Sequence, residues 1–266
     1  MTCPNYAALS LGPHQVRWAT AIPRAAITGA RNDTVRIVMQ DMVVAAFRAE
    51  AERLSEMVSR EDEASFTLAS PCPPWTFGEL LYHLRIGVGR VPAMLATPEP
   101  AAGPLVSATG YYRPDERFSA SVNTDRITAA RQGAAALGSV AAILRDFDRG
   151  WRETWALARA TPQTRVVRTR HGDRMLLTEF LRTRVLELAV HGLDLAVGLG
   201  RQPWMTAAAA SVVEGVLLPA GTTAGVMDET GWDHTILIAK AAGRLPLTAA
   251  EATIVERHSL HWLALG

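Results

Sequence analysis

Apolar residues recur along this chain at helical spacing, and only one short stretch alternates like a strand pair. From Val35 the pattern turns helical, and Val43, Phe47, Ala51, Leu54 and Val58 fall on one stripe. The run PCPPWTFGELLYHL opens a second helix. Its prolines stop before Thr76, and Thr76 with Glu79 forms a capping box, which predicts a helix from about Thr76 to Leu95, ending before Pro98. A loop rich in Pro, Gly and Ser then runs to about Val122, a length typical of functional or mobile loops. Asn123 or Thr124 caps a predicted third helix that carries Ile127, Leu137, Val140, Leu144, Phe147, Trp151 and Trp155 and ends near Ala160. TRVVRTRHGDRMLL alternates as a small hairpin turned at His171–Gly172–Asp173. A fourth helix follows from Thr178 to about Val197, closed by Gly198 and Gly200. Beyond Pro203 three further helical pieces are predicted, at 206–217, 231–242 and 248–264.

Four long helices with long connections predict an all-α protein: a four-helix bundle over 35–202 and a helical extension over 203–266. Residues 1–34 lack periodicity and carry Pro4, Pro13 and Pro23, so they read as a poorly ordered or loosely docked arm. With 48% hydrophobic residues among 266, a sizeable core is within reach. The net charge of +1 gives no sign of a nucleic-acid or anionic-membrane partner. Basic residues are nearly all arginine, Lys240 being the only lysine. Two cysteines, Cys3 and Cys72, are too few for a disulfide scaffold and suit a reducing cytosol. No basic-then-apolar leader opens the chain, so a cytoplasmic protein is expected, as a monomer or a homodimer. Trp204 to Met227 contains Glu214 and Pro219 and is rejected as a membrane span.

The candidate chemistry lies in the fourth helix. Glu187 and His191, four residues apart, project from one face, and Arg184, Glu187, His191 and Asp194 form a polar stripe on an otherwise apolar helix. A buried carboxylate is costly unless it is paired or binds a metal. Spacing alone leaves a metal site and a buried salt-bridge network both open. His83, in mid-helix far upstream, is a candidate third ligand, and Gly87 one turn on leaves room beside it. Asp194 is placed to take the other ring N–H of His191. Cys72 reads as a buried, inert residue. His14, His171, His234, His258 and His261 lack ligand-like spacing, and Trp75, Trp151, Trp155, Trp204 and Trp232 read as core.

These blocks resemble a known family. PCPPWTFGELLYHL resembles the CPGW-T-x-x-D/E-L-x-x-H-L block of the DinB-like metalloenzymes, and RVLELAVHGLDLAVGLG resembles their second metal block, R-x-x-E-x-x-x-H-x-x-D-L. LIAKAAGRLPLTAAEA is similar to the GR-x-P-L segment near the C-terminus of many members. The order of the blocks, over about 40–250, is most similar to the mycothiol-dependent maleylpyruvate isomerase-like branch. The resemblance implies an up-down-down-up bundle and a divalent metal, usually zinc, on His83, Glu187 and His191, with Asp194 in support. It also implies mycothiol, a cysteine-bearing pseudodisaccharide, as co-substrate.

Such a metal would depress the pKa of an entering thiol and provide a nucleophile at neutral pH. Arg85, Arg90 and Arg244 are candidates for binding the thiol, and Asp194 and Arg184 for a catalytic part. The sequence departs from the family pattern at Pro74, where glycine is usual, and at Arg85 and Gly87, where apolar residues are usual. The last two departures favour S-transfer to a small electrophile over maleylpyruvate-type cis–trans isomerisation. A zinc hydrolase, with Asp194 or Glu79 as base, and a non-catalytic ligand-binding bundle are the remaining alternatives.

Overall fold

The computed structural model describes residues 29–260, with side chains from Met42 onward, so the predicted arm lies mostly outside the described residues. Among the described residues the protein is all-α apart from one two-stranded ribbon. Helix α1 (Gly29–Val58) buries the predicted stripe of Val43, Phe47, Ala51, Leu54 and Val58. Helix α2 (Phe77–Val88) starts on the predicted capping box. The Thr76 hydroxyl accepts from the Glu79 N–H at 3.3 Å, and the Glu79 carboxylate accepts from the Thr76 N–H at 2.9 Å. It stops well short of Leu95, breaks at Gly89–Arg90, and gives way to α3 (Val91–Leu95). Pro92 supplies the reason: it has no N–H for the carbonyl of Val88, which instead accepts from the Thr154 hydroxyl.

The long loop holds a short helix, α4 (Ala108–Tyr111), capped by Ser107. The predicted third helix is in fact two, α5 (Ala120–Leu137) and α6 (Val140–Ala160), which meet at 113°. Gly138 ends α5 in the left-handed region at φ 74°, and the Ser139 side chain caps α6 by accepting from the Ala142 N–H at 3.2 Å. Ser119, not Asn123 or Thr124, caps α5. Strands β1 (Val166–Arg168) and β2 (Arg174–Leu176) pair antiparallel with Val167 opposite Met175, across the predicted turn. Helix α7 (Leu177–Gly198) follows directly. The C-terminal part contains α8 (Ala207–Leu217), α9 (Thr223–Thr230), α10 (His234–Ala241) and α11 (Ala249–Arg257). Helix α9 was not predicted; it buries only Val226 and so shows no apolar stripe in the sequence.

The bundle is made of α1, α2, α6 and α7. Helices α1 and α2 occupy opposite corners, and each packs on both α6 and α7. Pairwise contacts set the directions. Glu50 lies near Gly192, and Glu61 pairs with Arg201 just beyond α7, so α1 and α7 run parallel. Gly78 faces Ile143 and Val88 meets Thr154, so α2 and α6 run parallel. His83 faces Glu187 and Phe77 meets Gly198, which makes α2 antiparallel to α7. This is the up-down-down-up order. Helix α7 is buried nearly all round, as its apolar composition requires. The core continues without a gap from the bundle into Leu237 and Ile238 of α10. Helix α5 lies outside the bundle against α2, where any side chain at Gly133 would overlap the ring of Tyr82. Among the described residues no single helix is long and apolar enough to cross a membrane.

Candidate active site

The antiparallel contact of α2 and α7 brings the three predicted ligands together. Nε2 of His83 lies 3.6 Å from Oε2 of Glu187, and Nε2 of His191 lies 3.5 Å from the same oxygen. Charge-assisted hydrogen bonds are shorter, about 2.7–2.9 Å. Ligand bonds of roughly 2.0–2.1 Å in a tetrahedron around zinc put neighbouring donors roughly 3.4 Å apart. The donor set of two imidazoles and one carboxylate, all within 4.8 Å of one another, therefore has the chemistry and the spacing of a divalent cation site.

The surroundings set the protonation of each donor, leaving His83 and Glu187 ready to ligate and His191 carrying a proton that a cation would displace. Burial pushes the imidazole of His83 down to about 4, so it is neutral at physiological pH. Burial opposes ionisation of Glu187, but the facing imidazoles of His191 and His83 and the charge of Arg184 outweigh it and hold the carboxyl well below its usual range. Burial also lowers His191, but its contacts with Asp194 and Glu187 win and raise it to about 9. Nδ1 of His191 faces Oδ2 of Asp194 at 2.9 Å, an arrangement that commits Nε2 to the cation side. Asp194 has no exposed surface and is held well below the usual carboxylate range, against burial, chiefly by the charge of Arg244.

Several further residues complete the site, and spacing alone did not point to them. The Tyr112 hydroxyl lies 3.0 Å from the Thr183 carbonyl and 3.1 Å from Oε1 of Glu187, so its one proton is shared between these acceptors and Oε2 is left for the two imidazoles. Burial lifts the Tyr112 pKa well above the usual phenol value, so it remains a donor. Trp75, expected in the core, is buried but stacks on His83 with ring centroids 4.6 Å apart and lines the adjoining cavity. Cys72, expected to be inert, donates its S–H to Oδ2 of Asp194 at 3.0 Å. The one sequence signal for Tyr112 was an aromatic pair, Tyr111–Tyr112, inside a long loop.

The arginines divide into two groups. Arg184 and Arg90 line the cavity over the three donors. Arg184 fills the room left by Gly87, where a Cβ would stand 3.0 Å from its Nη1, and its guanidinium lies over the ring of Phe180 at 4.9 Å. Arg85 and Arg244 are placed elsewhere. Arg85 pairs with Asp146 on the α6 side, and Arg244 is buried behind the site on Asp194. Neither lines the cavity, because a carboxylate engages each guanidinium first. Asp194 likewise stands behind His191 and not beside the open face. Glu79 is committed to the cap of α2.

The family model described as the mycothiol maleylpyruvate isomerase N-terminal domain matches residues 47–196, more than half of the chain. No curated protein matches the chain in sequence. Two solved structures resemble it. One is a mycothiol-dependent maleylpyruvate isomerase carrying a histidine-to-alanine substitution, with TM-score 0.48 and 16% identity, covering 70% of this chain and 72% of that one. The other is the same enzyme without that substitution, with TM-score 0.46, 16% identity and the same coverage.

Proposed function

The chain belongs to the mycothiol maleylpyruvate isomerase N-terminal domain family, and on that premise we propose that it is a cytoplasmic, metal-dependent enzyme that joins mycothiol, or a related small thiol, to a small electrophile. The observation that carries this reading is the convergence of His83, Glu187 and His191 on one point beneath a cavity of about 270 Å³. These three side chains would hold a divalent cation, zinc being well suited to the donor set, which would lower the pKa of a thiol beside it at neutral pH.

The rest of the chemistry belongs to the chain. Tyr112 orients Glu187 by engaging Oε1, and Asp194 fixes the tautomer of His191. Trp75 and the buried guanidinium of Arg184 flank the donors in the cavity wall, and Arg184 places a fixed positive charge where an electrophile gains negative charge as sulfur adds. Arg90 offers donors to the hydroxyls and carbonyls of the thiol's sugar portion. In the transfer itself a sulfur–carbon bond forms. The electron pair displaced from the electrophilic carbon leaves with its leaving group or takes up the thiol's proton at the neighbouring atom.

Hydrolysis fits the site less well. Its two candidate bases are occupied, Glu79 in the helix cap and Asp194 by Arg244 and Cys72 behind His191. The test is incubation of metal-loaded protein with mycothiol and a panel of electrophiles, read by product mass. A thioether adduct formed only with both thiol and metal supports S-transfer. A product of unchanged mass and altered double-bond geometry assigns isomerisation instead. Consumption without thiol overturns both.

A further inference from the structure

A groove of about 690 Å³ lies between α1 and the C-terminal end of α6, and it shares no lining residue with the cavity over the donor trio. Ala45 and Ala49, one turn apart on α1, are short enough to leave the space, and Val44 and Pro162 add to its apolar surface. Pockets of roughly 300–1,000 Å³ with an apolar wall and a few placed polar groups are typical of small-molecule sites.

Two polar features of the lining are incomplete. Trp155 is half-buried, and its ring carries two guanidiniums, Cζ of Arg48 at 4.7 Å and Cζ of Arg159 at 4.9 Å from the ring centroid. Arg48 meets Glu52 at 3.6 Å, longer than the about 2.7–2.9 Å of a charge-assisted hydrogen bond. Arg159, one turn beyond Trp155, has neither a carboxylate nor a hydrogen-bond acceptor among the described residues. Stacking fixes its guanidinium while its forked N–H donors, suited to a carboxylate, stay uncommitted. The second feature is Gln163, 8% exposed. Its Nε2 donates to the carbonyls of Ala158 at 2.6 Å and Thr161 at 3.2 Å, which closes the end of α6. That commits the amide nitrogen and leaves Oε1, buried, with no donor. A buried acceptor without a partner is costly and rare in folded proteins.

We propose that this groove binds a small monocarboxylic acid with an apolar body and an amide N–H, the pattern of an N-acyl amino acid. Arg159 holds the carboxylate, with Arg48 as the second cation. The apolar body lies on Val44, Ala45 and Ala49, and the N–H donates to Oε1 of Gln163. Two arginines and one glutamate in the lining leave one positive charge, which matches a single carboxylate. The site stands on α1 and α6, whereas the donor trio stands on α2 and α7, so it requires neither metal nor thiol.

The experiment is calorimetric titration of the full chain at fixed ionic strength with three compounds. N-acetylphenylalanine carries all three features, its primary amide lacks the charge, and 3-phenylpropionate lacks the N–H. Arg159→Gln and Arg159→Lys are compared with Arg152→Gln, which removes an exposed charge of α6 outside the groove; circular dichroism establishes that each is folded. Saturable one-to-one binding of N-acetylphenylalanine is expected, about tenfold tighter than that of either analogue. Arg159→Gln should lose about tenfold, Arg159→Lys should keep part of the affinity, and Arg152→Gln should match the parent. Prior loading with zinc should leave the affinity unchanged. Absence of saturable binding, equal binding of the acid and either analogue, or parent-like affinity in Arg159→Gln overturns the site. So does an affinity that changes with zinc, which would place the acid over the donor trio. If Arg159→Gln does not fold, Arg159→Lys and the parent decide by the same comparison. Failure here leaves the metal reading intact, and failure of zinc to bind leaves this one intact.

Discussion

Arg244 holds both carboxylate oxygens of Asp194, Nε to Oδ1 at 3.0 Å and Nη2 to Oδ2 at 2.8 Å, and the pair is almost wholly buried. Asp194 in turn faces Nδ1 of His191, so a residue from the C-terminal GRLPL segment reaches the donor trio through two side chains. Removing one partner of a buried pair leaves the other charge uncompensated, at a cost of about 3–5 kcal/mol. Loss of the group that orients a ligating histidine typically lowers metal affinity about 10–100-fold. Arg244→Ala is therefore expected to show both losses, one in a urea melt and one in a metal titration against a chromophoric chelator. Parent-like values in both would mean that this buried pair supports neither the fold nor the site.

Tyr112→Phe keeps the buried ring and deletes the hydroxyl that faces Oε1 of Glu187 and the Thr183 carbonyl. A net hydrogen bond to a charged group is worth about 1.5–3 kcal/mol. The variant should stay folded and bind metal about tenfold more weakly, because Glu187 is then free to turn. Unchanged affinity in the same chelator competition would leave Tyr112 as packing alone.

Glu50 carries a pH dependence of its own. It is fully buried where α1 meets the start of α8, and its Oε2 accepts from the N–H and hydroxyl of Thr206 at 2.8 and 2.7 Å. Burial raises its carboxyl from 4.5 to about 7 despite those bonds. Between these values the folded state keeps a proton that the unfolded state has lost. The stability contributed by the neutral form is complete below about 4.5 and is lost as pH rises through 7. The shift corresponds to about 3 kcal/mol. Glu50→Gln, uncharged throughout, should match the parent in urea melts at pH 4.5 and exceed it by about that amount at pH 8. An equal difference at both pH values would contradict the assignment.

The helices and the Glu187–His191 pair were legible in the sequence because each depends on local spacing, whereas joining His83 to that pair rested on the resemblance of its block to a known family. Thr76 and Glu79 announced α2, and the four-residue step from Glu187 to His191 put two donors on one face. Misreadings occurred where one residue interrupts a good pattern. Pro92 broke a helix expected to reach Leu95, and Gly138–Ser139 divided a stripe that continued in register on both sides of the break. The layer behind the donors was hidden for another reason. Cys72, Asp194 and Arg244 meet across 172 residues of sequence, and no periodicity encodes a contact of that span. Arg85 and Arg244 looked free for the thiol because their acidic partners, Asp146 and Asp194, approach only in the folded state.

The central claim is that His83, Glu187 and His191 together hold one divalent cation. Its most direct test is the metal content, by plasma mass spectrometry, of untagged protein and of His191→Ala, each loaded with zinc, desalted and checked for helical content. The account predicts one ion per chain in the parent and essentially none in a still-helical His191→Ala variant. A full equivalent of zinc retained by that variant, or none taken up by the parent, would contradict it.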